Sequence, residues 1–251
     1  VNNLSTDEFV KDYLNHSSEI IDNFNFRPLF ESEPIQLADL DPKIFKINYF
    51  DVLKSRRTSR SFIPFEFSFS EFSSLLKLVY GDFHTSDSEL EEKGVVQYSK
   101  RKTSPSGGNI HPEEAFVYVY NVESLEEGLY YFNNQSETLH SCSEARLSYS
   151  DLRCMLNGQF FADNSSFVLF HTCRLEKISW KYKHSKSYRL SFVEAGAFTQ
   201  TFQLSATALG RKFWQTGMFK DKMIDEFLGL SSNEICQFVM AVGEGDGSAI
   251  P

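Results

Sequence analysis

The sequence predicts a mixed α+β domain, with its strands gathered between helices. Three observations carry this. Runs rich in β-branched and aromatic residues cluster in the middle of the chain and return once near its end. Segments with helical spacing lie on both sides of them, without regular strand–helix–strand alternation. Hydrophobic residues make up 41% of the 251 residues, and 25 of them are Phe, which is ample for a core.

In order along the chain, Asp7–Leu14 has Phe9, Val10 and Tyr13 at helical spacing. The stretch around Pro28, Pro34 and Pro42 is expected to run extended over the surface, making residues 1–48 an accessory segment before a domain at 49–251. Ser68 followed by Glu71 is a capping-box signature, and Phe72, Leu75, Leu76 and Val79 then repeat on one helix face up to a stop at Gly81. Residues 82–101 are polar and read as an exposed loop. AFVYVYNV, GLYYFN and Phe167–His171 read as strands, the second ending in an Asn-Asn turn. Ser191–Leu209 is long enough for a helix, and its Gly and Ala suggest close packing against another helix or subunit. Phe213–Gly217 is a short strand or loop, Asp221–Leu228 a helix stopped by Gly229, and Gln237–Val242 a last strand.

Composition excludes several classes of function. With 25 basic and 34 acidic residues the net charge is −9, so there is no general footprint for nucleic acid. Any anion site must be built locally from a few arginines. The four cysteines have no CxxC spacing and no His pair at metal-ligand spacing, which predicts small buried or half-buried thiols and no metal site. No apolar run approaches the ~20 residues of a membrane span. The acidic, amphipathic start is unlike a signal peptide, and a cytoplasmic protein is expected.

Three segments could carry chemistry. Arg56, Arg57 and Arg60, with Thr58 among them, offer guanidinium forks and a hydroxyl suited to a phosphate monoester. A solvated basic turn after a helix is the alternative. Ser104-Pro-Ser-Gly-Gly-Asn-Ile-His-Pro112 is a polar loop bracketed by prolines. Gly107 and Gly108 let backbone approach a flat ligand, while Ser106 and Asn109 supply polar groups for its edge. Without GKS or GKT this is not a Walker loop, and no GxGxxG occurs in the chain. The third segment, Ser179–Arg189, holds Lys181, Tyr182 and Lys183, which serve proton transfer only in a cleft that shifts their pKa; otherwise it is a basic surface loop. His111 and His171 read as structural.

In this order the segments resemble the motifs of the nitroreductase-like flavoenzymes. RRTSRSF looks like their phosphate motif and PSGGNIHP like their second motif. Glu194-Ala-Gly196, Gln200, FLGL and FVMAVG are similar to their C-terminal part. The layout GLYYFNN, WKY, YR, EAG resembles the SagB-type dehydrogenases of azole-containing peptide biosynthesis. The resemblance spans roughly residues 50–245. It implies an antiparallel sheet of four or five strands flanked by helices, and a homodimer with FMN at the subunit interface. Arg56, Arg57, Thr58 and Arg60 would hold the phosphate and part of the ring edge. Ser106, Gly107, Gly108 and Asn109 would line the ring from the other subunit, and Gln200, on the central dimer helix, would also bind the cofactor. Lys181 and Tyr182 would be the catalytic pair, with Lys183 as an alternative, because the spacing to Tyr188-Arg189 is a residue longer than in the family. The implied activity is oxidation of a peptide thiazoline or oxazoline to the azole, in contact with the peptide substrate and a cyclodehydratase partner. Two alternatives stand beside it: an NAD(P)H-dependent reductase of nitro, quinone or dehydroamino-acid substrates, and a flavin-free scaffold subunit.

Overall fold

The computed structural model describes residues 5–15, 32–85, 92, 100–143 and 146–245. Pro28 and most of the expected 82–101 loop lie outside the described residues. Helix α1 spans Thr6–Asn15. Strand β1, Ile35–Gln36, then lies along the sheet edge. A 3-10 turn at Pro42–Lys46 leads to α2, Tyr49–Ser55, and a loop to α3, Phe69–Tyr80. A short antiparallel pair, β2 His84–Thr85 and β3 Lys100–Arg101, occupies the two ends of the expected polar loop.

Seven strands build one antiparallel sheet. In chain order after β1 they are β4 Glu113–Val119, β5 Gly128–Asn133, β6 Thr138–Ser143, β7 Phe167–Arg174, β8 Lys212–Thr216 and β9 Glu234–Gly243. Their spatial order is β1-β6-β5-β4-β7-β9-β8. The sheet is thus wider than four or five strands, because the two-residue β1 and the polar β6 extend one edge. The expected turn after β5 forms as an Asx turn, with Asn133 Oδ1 accepting from the amides of Gln135 and Ser136.

Alternation along the strands splits the core into two layers. Val117, Val119, Phe167, Leu169, Met240 and Val242 face α3 and the long helix α6, Ser187–Ala208. Phe116, Tyr118, Val168, Phe170 and Ala241 face α4, Tyr149–Met155, and α7, Asp221–Leu228. Both faces are covered, which is why β4 is buried at every position and its sequence shows no polar alternation. The Phe content has its place here: Phe72 and Phe67 meet Phe167 edge-on, with centroids 5.0 and 5.2 Å apart.

Helix α3 starts where expected, but its capping box does not form. Ser68 makes no side-chain cap bond, and Glu123 accepts from the Phe69 amide instead. Glu71 accepts from Arg211 Nε at 2.7 Å, and Arg211 also reaches Glu244 while stacking over Phe65. A charge-assisted guanidinium bond outcompetes a backbone amide for the carboxylate. Among the cysteines, Cys173 and Cys236 are buried and Cys142 half-buried, but Cys154 is exposed, against expectation. No helix of the described residues is long and apolar enough to cross a membrane.

Candidate active site

The segment after α2 is fixed from several sides. The Ser59 amide donates to Phe213 of β8, Phe62 is buried, and Ile63 pairs with Glu244. This anchoring displays Arg56 at the end of α2, Arg57 and Thr58 in solvent, and Arg60 over the Phe161 ring. Arg57 Nη1 donates to the carbonyls of Lys54 and Arg56. Among the described residues no carboxylate pairs with any of the three arginines, although the chain carries a net charge of −9. Clustered cations without counter-ions fit a bound anion such as a flavin phosphate.

The second motif folds as a tight 3-10 turn, Gly107–Asn109, pressed against α6. Ser104 Oγ lies 2.7 Å from Thr201 Oγ1, tying the entry to that helix. Glu194 of α6 accepts from both the Ser106 hydroxyl and the Gly107 amide, at 3.0 and 2.5 Å. Ser106 Oγ in turn accepts from the His111 amide. Gly108, Asn109 and His111 all adopt the left-handed region, with φ of 65, 59 and 48°. For His this costs of order 1–2 kcal/mol, so the surroundings must impose it. His111 is otherwise structural, as expected. Its Nε2 lies 2.9 Å from Asn109 Oδ1, and burial, then the charges of Lys102, Arg101 and Lys177, lower its pKa to about 3. His171 is buried against the Tyr80 hydroxyl, and burial takes its pKa to about 3 as well. Both are therefore neutral at physiological pH.

The segment expected as a basic loop begins inside a helix. Helix α5, Leu175–Lys181, ends on Lys181, and the chain then turns so that Lys183, His184 and Lys186 are exposed. Lys181 Nζ donates to the Gly108 carbonyl at 3.1 Å. A Cβ added to Gly108 would lie 2.5 Å from Lys181 Nζ and 2.8 Å from the Tyr182 hydroxyl, so both groups converge on this glycine. Burial lowers the pKa of Lys181. Burial, then the charge of Glu194, raises that of Tyr182. The amine is thus drawn toward its neutral, basic form while the phenol keeps its proton. These opposite shifts suit one proton acceptor beside one hydrogen-bond donor.

The structure therefore brings Lys181, Tyr182, Ser106, Gly107, Gly108 and Asn109 together. Among the described residues none of the three arginines shares a hydrogen bond, ion pair or ring contact with them. Gln200 is exposed on the outer face of α6 and joins neither cluster through a hydrogen bond. Glu194, which carries the turn, was visible in the sequence only as part of a motif, and Glu113 behind it gave no signal.

The nitroreductase family matches residues 53–244. This chain belongs to that family. Its members are flavin-dependent oxidoreductases that typically bind FMN. The chain is 27% identical over 209 residues to MJ1384 of Methanocaldococcus jannaschii, covering 83% of this chain and 95% of that protein. It is 27% identical over 136 residues to the trifolitoxin-processing protein TfxB of Rhizobium leguminosarum, covering 52% of this chain. This chain spans 36% of the length of TfxB. A chain of the E. coli microcin synthetase McbBCD complex, solved with truncated pro-MccB17 bound, shares the fold. The two align with a TM-score of 0.62 at 19% identity, over 93% of this chain and 82% of that one.

Within this nitroreductase fold Gly108→Ala is an informative substitution. The left-handed backbone and the crowding by Lys181 and Tyr182 act together. A loss of about 1–2 kcal/mol is expected, read as a lower urea midpoint. Gly158, also left-handed at φ 83° but with nothing within 4 Å of an added Cβ, gives the backbone cost alone when changed to Ala.

Proposed function

We propose that this chain is an FMN-dependent dehydrogenase that oxidises thiazoline or oxazoline rings of a ribosomally made peptide to thiazole or oxazole. The observation that carries this reading is the convergence of Lys181 and Tyr182 on Gly108. An azoline loses a proton from one ring carbon and a hydride from its neighbour, so it needs a base beside the electron acceptor. FMN, when bound, would take up the hydride. Lys181, lowered by burial, would take the ring proton, and Tyr182 would hold the ring heteroatom with its phenol hydrogen. Arg56, Arg57, Thr58 and Arg60 would hold the FMN phosphate, and Ser106–Asn109 would line the flavin ring.

A homodimer fits the same reading. Among the described residues none of the three arginines shares a hydrogen bond, ion pair or ring contact with the turn, so a second copy would supply the turn to the arginine segment. Exposed apolar side chains collect on α2 and on α6, which packs against it: Tyr49, Phe50 and Leu53 on one, Tyr188, Phe192 and Val193 on the other. Gln200 shares the outer face of α6 with this group. The kinship with TfxB, a trifolitoxin-processing protein, supports a peptide substrate and a peptide-modifying complex, in the cytoplasm where the peptide is made.

The test is an absorption spectrum of the purified protein, followed by anaerobic mixing with azoline-containing peptides. A yellow protein whose flavin is bleached as the peptide loses two hydrogens meets the expectation, because a two-electron transfer requires both changes. Bleaching by NADPH, with the peptide mass unchanged, would make the protein a reductase. A colourless protein that takes up no FMN would be a scaffold.

A further inference from the structure

Glu113 opens β4 directly behind the second motif. It is 5% exposed, and neither of its carboxyl oxygens has a hydrogen-bond partner. Facing it is Glu194, 4% exposed, whose oxygens are engaged by Ser106 and Gly107. The two carboxyl groups approach closely without a well-aligned hydrogen bond. Two neighbouring buried carboxyls cannot both be charged at small cost. Glu194 has two well-formed donor bonds to support a charge, whereas Glu113 has only the poorly aligned approach of its own backbone amide, so the shared proton belongs on Glu113.

The surroundings agree. Burial, then the charge of Glu194, pushes the Glu113 carboxyl well above the usual glutamate range. Lys177 of α5 pulls the other way, but Glu114 engages it at 3.3 Å. Lys102 is occupied by the Tyr80 carbonyl and by Asp82. Tyr80 of α3 and Cys173 of β7 face the same group, and burial raises both, so they stay neutral.

We propose that Glu113 is a positioning residue, which shares one proton with Glu194 and so fixes Glu194 beneath the Ser106–Gly107 turn that receives the flavin ring. This role rests on the flavin reading above. Loss of that proton would put a second negative charge under the turn and loosen its grip on the helix.

The sign of the pH effect follows. In the unfolded chain Glu113 ionises at the ordinary glutamate value, while in the folded chain it stays protonated to higher pH. Between those values the folded state binds the extra proton, so its contribution to stability is full at acid pH and is lost as pH rises. Glu113→Gln mimics the protonated form and removes this dependence.

The test compares the full-length wild type with Glu113→Gln. Infrared difference spectra should show the carbonyl band of a protonated carboxylic acid in the wild type and not in the variant. FMN affinity should fall by about tenfold from neutral to alkaline pH in the wild type and stay flat in Glu113→Gln. The thermal midpoint should follow the same pattern without flavin. A missing acid band, or the same pH dependence in both proteins, overturns the role of Glu113 and leaves the flavin reading intact. An acid band in a protein that takes up no FMN at any pH overturns the flavin reading, and the positioning role with it.

Discussion

In the Lys181→Ala protein, turnover of azoline peptides should fall by about 10²–10⁴-fold, while the protein stays yellow. Lys181 meets the turn at Gly108, where its Nζ donates to the carbonyl. The turn keeps its two bonds to Glu194, so the substitution would remove the proposed base and spare the cradle. Lys183→Ala is the matched control, because Lys183 is exposed past the end of α5. It should turn over normally. A loss with Lys183→Ala and none with Lys181→Ala would reverse the two roles. The pH profile adds a second reading. Because burial lowers Lys181 from the usual lysine value, its neutral form accumulates at lower pH, and the wild-type rate should rise with pH below the ordinary lysine range. A rate that rises only at the pH where free lysine titrates would place the base elsewhere.

The sequence displays strongly periodic elements better than it displays the site. AFVYVYNV, GLYYFN and the α3 stripe carry apolar residues at the spacing their elements need, and they form as expected. Strand β6, with sequence TLHSCS, has one aliphatic residue and is held by pairing with β5. Helices α4 and α5 are seven residues each, too short for a stripe to outweigh their polar residues. The site depends on contacts between distant segments. Lys181 and Gly108 are 73 residues apart, and nothing local in KYKHSK shows that the first lysine turns inward while the next stays in solvent. Glu113 is harder still. Two glutamates opening a strand read as a polar strand end, and only the covering by α5 and α6 buries them. The arginine cluster was legible because its signal is local: three guanidinium groups within five residues of an acidic chain.

That cluster carries the other large prediction. Arg56→Gln should weaken FMN binding by about 10–100-fold, the loss of one charge-assisted hydrogen bond of roughly 1.5–3 kcal/mol. Arg60→Gln should act in the same direction. Arg57→Gln should cost the brace across the carbonyls of Lys54 and Arg56 as well as a charge. Riboflavin, which has the ring but no phosphate, is the decisive control. Its affinity should fall far less than that of FMN on Arg56→Gln, because in the proposed arrangement the ring would rest mainly on Ser106–Asn109. The wild-type preference for FMN over riboflavin should shrink with added salt, since the cluster is open to solvent. Without flavin the effect on stability reverses. Arg56 has no carboxylate partner among the described residues, so Arg56→Gln relieves repulsion within the cluster, and the flavin-free variant should melt at the same or a slightly higher temperature, whereas Arg57→Gln loses its two bonds and Arg60→Gln its contact with Phe161. Tighter folding with weaker FMN binding is the signature of a group kept for a ligand. Equal FMN affinity in all three variants would move the phosphate away from this segment, and a fall in riboflavin affinity matching that of FMN would mean that the arginines support the fold of the site and not the phosphate.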